Sequence, residues 1–211
     1  MAFHPPGSTR NKQRRKGTAL IEFAIVMTML IPMFFGMVIF GISAGRAIQA
    51  TQFTRDMGHM YAMGVDFSTA PSQSLMTNLA QNLDVSSTGS GVVIFSQIKK
   101  VYQSDCDAQT MSTCPNLNAF VFMQRLVKGN SSARPSNYGT PPSNYINSLG
   151  NIAPPDYLVQ SSLVATGTSV LPIVPAGNSV WVVESYFGIP GLAFLSSVGI
   201  PMTGVYSVSY F

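Results

Sequence analysis

The chain has 211 residues, and only 9 % of them are charged, against ~25 % in an ordinary soluble domain. Its net charge of +4 is local: five of the twelve basic residues (Arg10, Lys12, Arg14, Arg15, Lys16) precede residue 17, and residues 18–211 carry seven basic against eight acidic groups, a net of −1. That distribution argues against a nucleic-acid partner for the folded part, and the low charge suits a chain that is partly in lipid, packs against partners or faces the exterior.

The first 13 residues hold Pro5–Pro6 and Gly7–Ser8 and few apolar groups, a composition that does not fold alone. From Phe23 to Gly45 the chain runs 23 consecutive residues without a formal charge. A bilayer core needs ~20 predominantly apolar residues, so this stretch predicts a membrane-spanning helix. The basic cluster before it predicts a cytoplasmic N-terminus and an outward C-terminal part by the positive-inside rule. A secretory signal peptide is the competing reading, with Ile42–Ser43–Ala44 or Gly41–Ile42–Ser43 as its cleavage site. Its apolar core would be too long, and Glu22 is out of place in it.

The helix is expected from about Thr18, which can cap it, to about Tyr61, roughly 66 Å at 1.5 Å per residue. Pro32 predicts a kink. Gly36, Gly41, Ser43, Ala44 and Gly45 allow close helix approach, although Gly is also common in membrane helices generally. Beyond Gly45, Phe53, Met57, Met60 and Tyr61 recur at helical spacing, which predicts one stripe laid on a globular domain. A short helix follows at Gln73–Leu83, with Ser72 as its cap and Leu75, Met76, Leu79 and Leu83 on one side.

Four strands are predicted: Val92–Tyr102, Ala119–Val127, Ser179–Phe187 and Gly204–Phe211. No long helix separates the first pair or the last, so antiparallel pairing is favoured over βαβ units. The fold class is α+β: a long N-terminal helix, then a mainly antiparallel four-stranded sheet. Residues 129–156 read as a long irregular loop, either an ordered surface excursion or a contact surface for other subunits. Asp156–Ala165 reads as a short helix. Gly188–Ile200 is too short for a second span and is expected to pack on the sheet or touch the membrane surface.

Cys106 and Cys114 lie between the first two strands. They do not form C-x-x-C, and His4 and His59 are the only histidines, so a metal site lacks ligands. A structural disulfide in an oxidising compartment is the expectation, with a redox pair as the alternative. His59 has only Asp56 near it on its helix, too little for acid–base chemistry. No phosphate loop, zinc-hydrolase or serine-elbow motif is present. Neither an enzyme nor a cofactor is expected.

Glu22 sits at the start of the apolar helix, where carboxylates are rare. It can help the helix N-terminus, where negative charge is favoured. The whole string says more: a basic cluster, Gly17, Thr18–Ala19–Leu20–Ile21, Glu22, Phe23, then the apolar run. It resembles the processing site of type IV prepilins, in which a membrane peptidase cuts after the glycine and glutamate becomes the fifth mature residue. GTALIEFAIV resembles more closely the TadE/TadF minor pseudopilins of the tight-adherence (Tad or Flp) pilus. More softly, Gly177, Val180, Val182–Val183–Glu184, Tyr186 and Pro190 resemble a C-terminal strand and proline-rich loop in TadE-like and TadG-like proteins.

The resemblance implies a leader at 1–17, a long helix at 18–63 and an extracytoplasmic domain at 64–211. Gly17, Thr18, Glu22 and Phe23 would form the processing region. The implied role is a structural subunit in the initiation, tip or assembly of a pilus used in surface adherence. The implied partners are other pilin and pseudopilin subunits, a prepilin peptidase, an inner-membrane assembly platform and the lipid bilayer. The alternative is an unprocessed, membrane-anchored scaffold of the TadG-like kind. Major Flp pilins are little more than the helix, so a minor subunit fits this longer chain better.

Overall fold

The computed structural model describes residues 10–81, 83–188 and 204–211. Its elements are α1 (Arg10–Ala62), α2 (Ala70–Ala80), β1 (Gly91–Lys100), α3 (Gln103–Asp107), β2 (Phe120–Gly129), α4 (Pro154–Val159), β3 (Val180–Gly188) and β4 (Gly204–Tyr210). They form two compact units, Met1–Gly45 and Arg46–Phe211. The apolar link expected after Gly188 lies outside the described residues.

The first unit is helix. Its described apolar side chains are exposed almost throughout, from Leu20 and Phe23 to Phe40 and Ile42. Thr18–Ala62 is long and apolar enough to cross a membrane, and its apolar window buries nothing within the protein. Pro32 lies inside the helix. Thr28 returns its hydroxyl to the Ile25 carbonyl at 2.7 Å, which satisfies a polar group that lipid would not. The helix starts at Arg10 rather than near Thr18. Arg, Lys and Gln are good helix formers, so the basic segment continues the helix upstream and Thr18 is interior rather than a cap.

In the second unit, α1 ends in a Schellman motif. Gly64 takes a positive φ of 87°, its N–H meets the Tyr61 carbonyl at 3.0 Å, and the Val65 N–H meets the Met60 carbonyl at 3.0 Å. The strands form one sheet in the order β2-β1-β3-β4, every pair antiparallel. A register shift at Gln97/Ile98 marks a bulge in the β1–β2 pair.

The strands alternate, and both faces are covered. On one face lie Val93, Phe95, Leu126, Val183 and Phe187, under Ala50, Phe53, Met57 and Tyr61 of the α1 tail. The tail stripe expected from Phe53, Met57 and Tyr61 is therefore buried, and Met60 is only partly so. Tyr61 meets Phe95 and Trp181 edge-on at 5.2 and 4.8 Å, and Phe67 stacks on Phe95 at 4.6 Å. A Cβ on Gly58 would strike the Phe211 ring, so glycine is what lets that ring lie against α1.

The other face carries Ile98, Phe122 and Val182. The long connection between β2 and β3 folds over it and contributes Tyr138, Ile152, Tyr157, Leu158 and Leu163 to the core. Within residues 129–156 Tyr138 and Ile152 reach that core, while most of the segment stays exposed or half-buried as an ordered surface excursion. The connection also lines the outer edge of β2, with bridges Gln124–Asn151 and Val121–Val164. The helix expected at Asp156–Ala165 is α4 followed by a separate 3-10 turn at Ser161–Leu163.

The phase of α2 also differs from expectation. Met76, Ala80 and Leu83 are buried, while Leu75 and Leu79 face outward. Pro71 occupies the first turn, where its missing N–H costs nothing, and this draws the start upstream to Ala70 with Thr69 as the N-cap residue. Ala80 then serves as the close-contact position that an apolar count does not reveal.

Candidate functional site

Three groups of residues carry the candidate chemistry. The first is the start of the apolar helix. Gly17, Thr18, Glu22 and Phe23 all lie within α1. Thr18 and Glu22 are four residues apart, so they share one face about 6 Å apart along the axis. Glu22 and Phe23 are exposed, amid apolar neighbours such as Leu20, Ile21 and Ile25 that are exposed as well. A carboxylate is rare at such a position in an apolar span.

The second group is a buried polar cluster that sequence reasoning missed. Glu184 is 1 % exposed at the middle of β3. It accepts hydrogen bonds from the Ser136 hydroxyl, the Asn137 backbone N–H at 2.9 Å and the Tyr206 hydroxyl at 2.8 Å. The Tyr206 hydroxyl in turn accepts from Asn137 Nδ2 at 2.9 Å. One carboxylate thus ties the 136–137 turn to both β3 and β4. Burial raises the Tyr206 phenol, and the neighbouring Glu184 charge raises it further.

Arg125 lies on the same face. It is paired with Ser96 across β2–β1, while Glu184 is paired with Ile94 across β1–β3. Its guanidinium donates to the Ser96 hydroxyl and to the Gly139 carbonyl, the latter at 2.9 Å. Burial pushes the Arg125 pKa down to about 10, and Glu184 opposes the shift. It stays charged at neutral pH, so cluster and loop hold one another. The signal in the sequence was a charge set inside each of two largely apolar strands, Arg125 in β2 and Glu184 in β3.

The third group is Cys106 and Cys114, joined by a disulfide with Cα atoms 5.8 Å apart. It closes the β1–β2 connection onto α3. Lys99 pairs with Asp105, whose other oxygen accepts the Tyr102 N–H at 2.9 Å. Asn116 Nδ2 reaches the Tyr157 and Gln160 carbonyls at 2.9 Å each, which fastens this connection to α4. The disulfide here braces a loop. Among the described residues no group of three or more His, Cys, Asp or Glu is placed to hold a metal ion.

Residues 17–57 match the family described as TadE-like protein. The match opens on Gly17, takes in Glu22 and the apolar helix, and ends on Met57 in the buried tail stripe. No curated protein and no solved structure matches the chain.

Proposed function

We propose that this chain is a minor pilin or pseudopilin of a tight-adherence pilus, cut between Gly17 and Thr18 by a prepilin peptidase. The observation that carries the reading is the TadE-like match beginning at Gly17, over a helix whose apolar surface is left uncovered. In the proposed topology residues 1–17 are a cytoplasmic leader and residues 18–63 a helix that spans the inner membrane in its first half. Residues 64–211 are an extracytoplasmic domain. The five basic residues before Gly17 support that orientation. Other pilin subunits and an assembly platform would cover the exposed helix, because such apolar area is stable only in lipid or against other helices.

Cleavage creates a positive amine on Thr18, one turn before Glu22. In a bundle of apolar helices that amine needs a carboxylate, from its own chain or a neighbour's. The experiment is N-terminal sequencing of the membrane-extracted protein. A start at Thr18 is expected, and Gly17→Leu should leave the longer precursor in the membrane. An intact leader in cells that assemble the pilus would overturn the reading in favour of an unprocessed scaffold.

A further inference from the structure

The bond proposed for cleavage lies inside a helix. α1 runs without interruption from Arg10 to Ala62, so about two turns precede Gly17–Thr18 and the whole apolar run follows it. In that conformation the Gly17 carbonyl is turned along the axis toward the Ile21 N–H, and the Thr18 N–H toward the Arg14 carbonyl. The adjoining turns crowd both sides of the peptide plane, and a nucleophile has no path to the carbonyl carbon. Cutting therefore needs a local opening, and the opened N–H and C=O groups must find other partners.

Three features make the opening least costly at this bond. Gly17 is the only glycine of α1 before Gly36, and Thr18 is β-branched, so the two are poor helix formers. Arg14, Arg15 and Lys16 before them, and Ala19 and Leu20 after them, are better ones. The first turn of α1 holds no acidic residue, while Arg10 and Lys12 stand at the positive end of the helix dipole, which weakens the upstream segment. Finally, Gly17 lies where the basic cluster gives way to the apolar run, and there opened backbone groups meet water or headgroups. Gly36 lies deep in the apolar run, where lipid would leave the same groups unsatisfied.

We infer that the chain is cut from a locally unwound state, and that Gly17–Thr18 is the hinge at which the leader helix parts from the membrane helix to reach it. The inference rests on the pilin reading above and adds what the peptidase takes: an opened backbone at the water-facing junction, not a helical face. The basic cluster then acts twice, once on topology and once on the ease of opening.

Position 18 separates opening from side-chain fit. Ala and Gly are both smaller than Thr, so either enters a pocket that takes Thr, yet they move helix stability in opposite directions. Full-length wild-type, Thr18→Ala and Thr18→Gly chains are pulse-labelled in cells that assemble the pilus, and loss of the leader is followed in time. Thr18→Gly should be cut fastest and Thr18→Ala slowest, about fivefold apart, with the wild type between them. The uncut chains, made in a host without the peptidase, are compared by amide hydrogen exchange across residues 18–21, which should follow the same order. Equal cutting rates with exchange in that order would overturn the inference and leave the pilin reading standing. Ordered cutting with equal exchange would assign the order to the peptidase's fit and overturn it as well. A wild-type chain that keeps its leader in those cells overturns the pilin reading, and this inference with it.

Discussion

Glu184 and Arg125 are the only charged side chains buried in the sheet unit among the described residues. Each would be costly without its hydrogen-bond partners, because a buried charge left unsatisfied costs several kcal/mol. Here the carboxylate has three donors and the guanidinium two acceptors. Glu184→Ala would strand the Ser136, Asn137 and Tyr206 donors and remove a nearby negative charge that favours the buried Arg125 guanidinium. We expect a loss of about 3–5 kcal/mol, which in a unit of this size lowers the melting temperature by on the order of 10 °C. Glu184→Gln keeps one acceptor oxygen and should lose clearly less. Thermal unfolding of the detergent-extracted full chain measures both. A melting temperature unchanged by Glu184→Ala would remove the carboxylate from its role as the tie between loop and sheet.

At the scale of elements, two helices show what a hydrophobic pattern can and cannot settle. The α1 tail was legible because Phe53, Met57 and Tyr61 recur at four-residue steps among polar residues. The strands were legible because Val, Ile and aromatic residues cluster between turn signals, and their observed bounds fall within about two residues of expectation. In α2 apolar residues occupy both sides, so periodicity did not pick the buried one; Pro71 and the small Ala80 did. Nor did the pattern reveal that the β2–β3 connection is core. Its buried side chains, Tyr138, Ile152 and Leu158, are spread among prolines and glycines and meet only when the sheet exists. The same limit hid the Arg125–Glu184 cluster, since strand register is a tertiary fact. These assignments separate in a stability measurement. Met57→Ala and Met76→Ala, both at buried positions, should each cost about 2–5 kcal/mol, because they open cavities in a packed face. Leu79→Ala on the outer side of α2 should stay within about 0.5 kcal/mol. Equal losses at Met76 and Leu79 would mean that α2 is rotated from the phase described.

At the scale of the whole molecule the two units obey opposite rules. Residues 46–211 close a core on both faces of a sheet, while residues 18–45 expose nearly every apolar side chain they have. Glu22 is the one ionisable group in the exposed stretch between Thr18 and Gly45. For a lone anchor it is only a burden on insertion, and Glu22→Leu should be harmless or favourable. For an assembling subunit the cut end brings a positive amine into an apolar bundle, and Glu22 supplies the counter-charge. Leu at that position would leave the amine unpaired, a loss on the order of several kcal/mol per contact. The expected phenotype is therefore divided: normal membrane level and normal cleavage after Gly17, but no co-purification with the other pilus proteins. Membrane fractionation, N-terminal sequencing and pull-down of one tagged variant give the three readouts together. Co-purification and piliation at the wild-type level with Leu at 22 would rule out charge neutralisation and return this residue to a helix-end role.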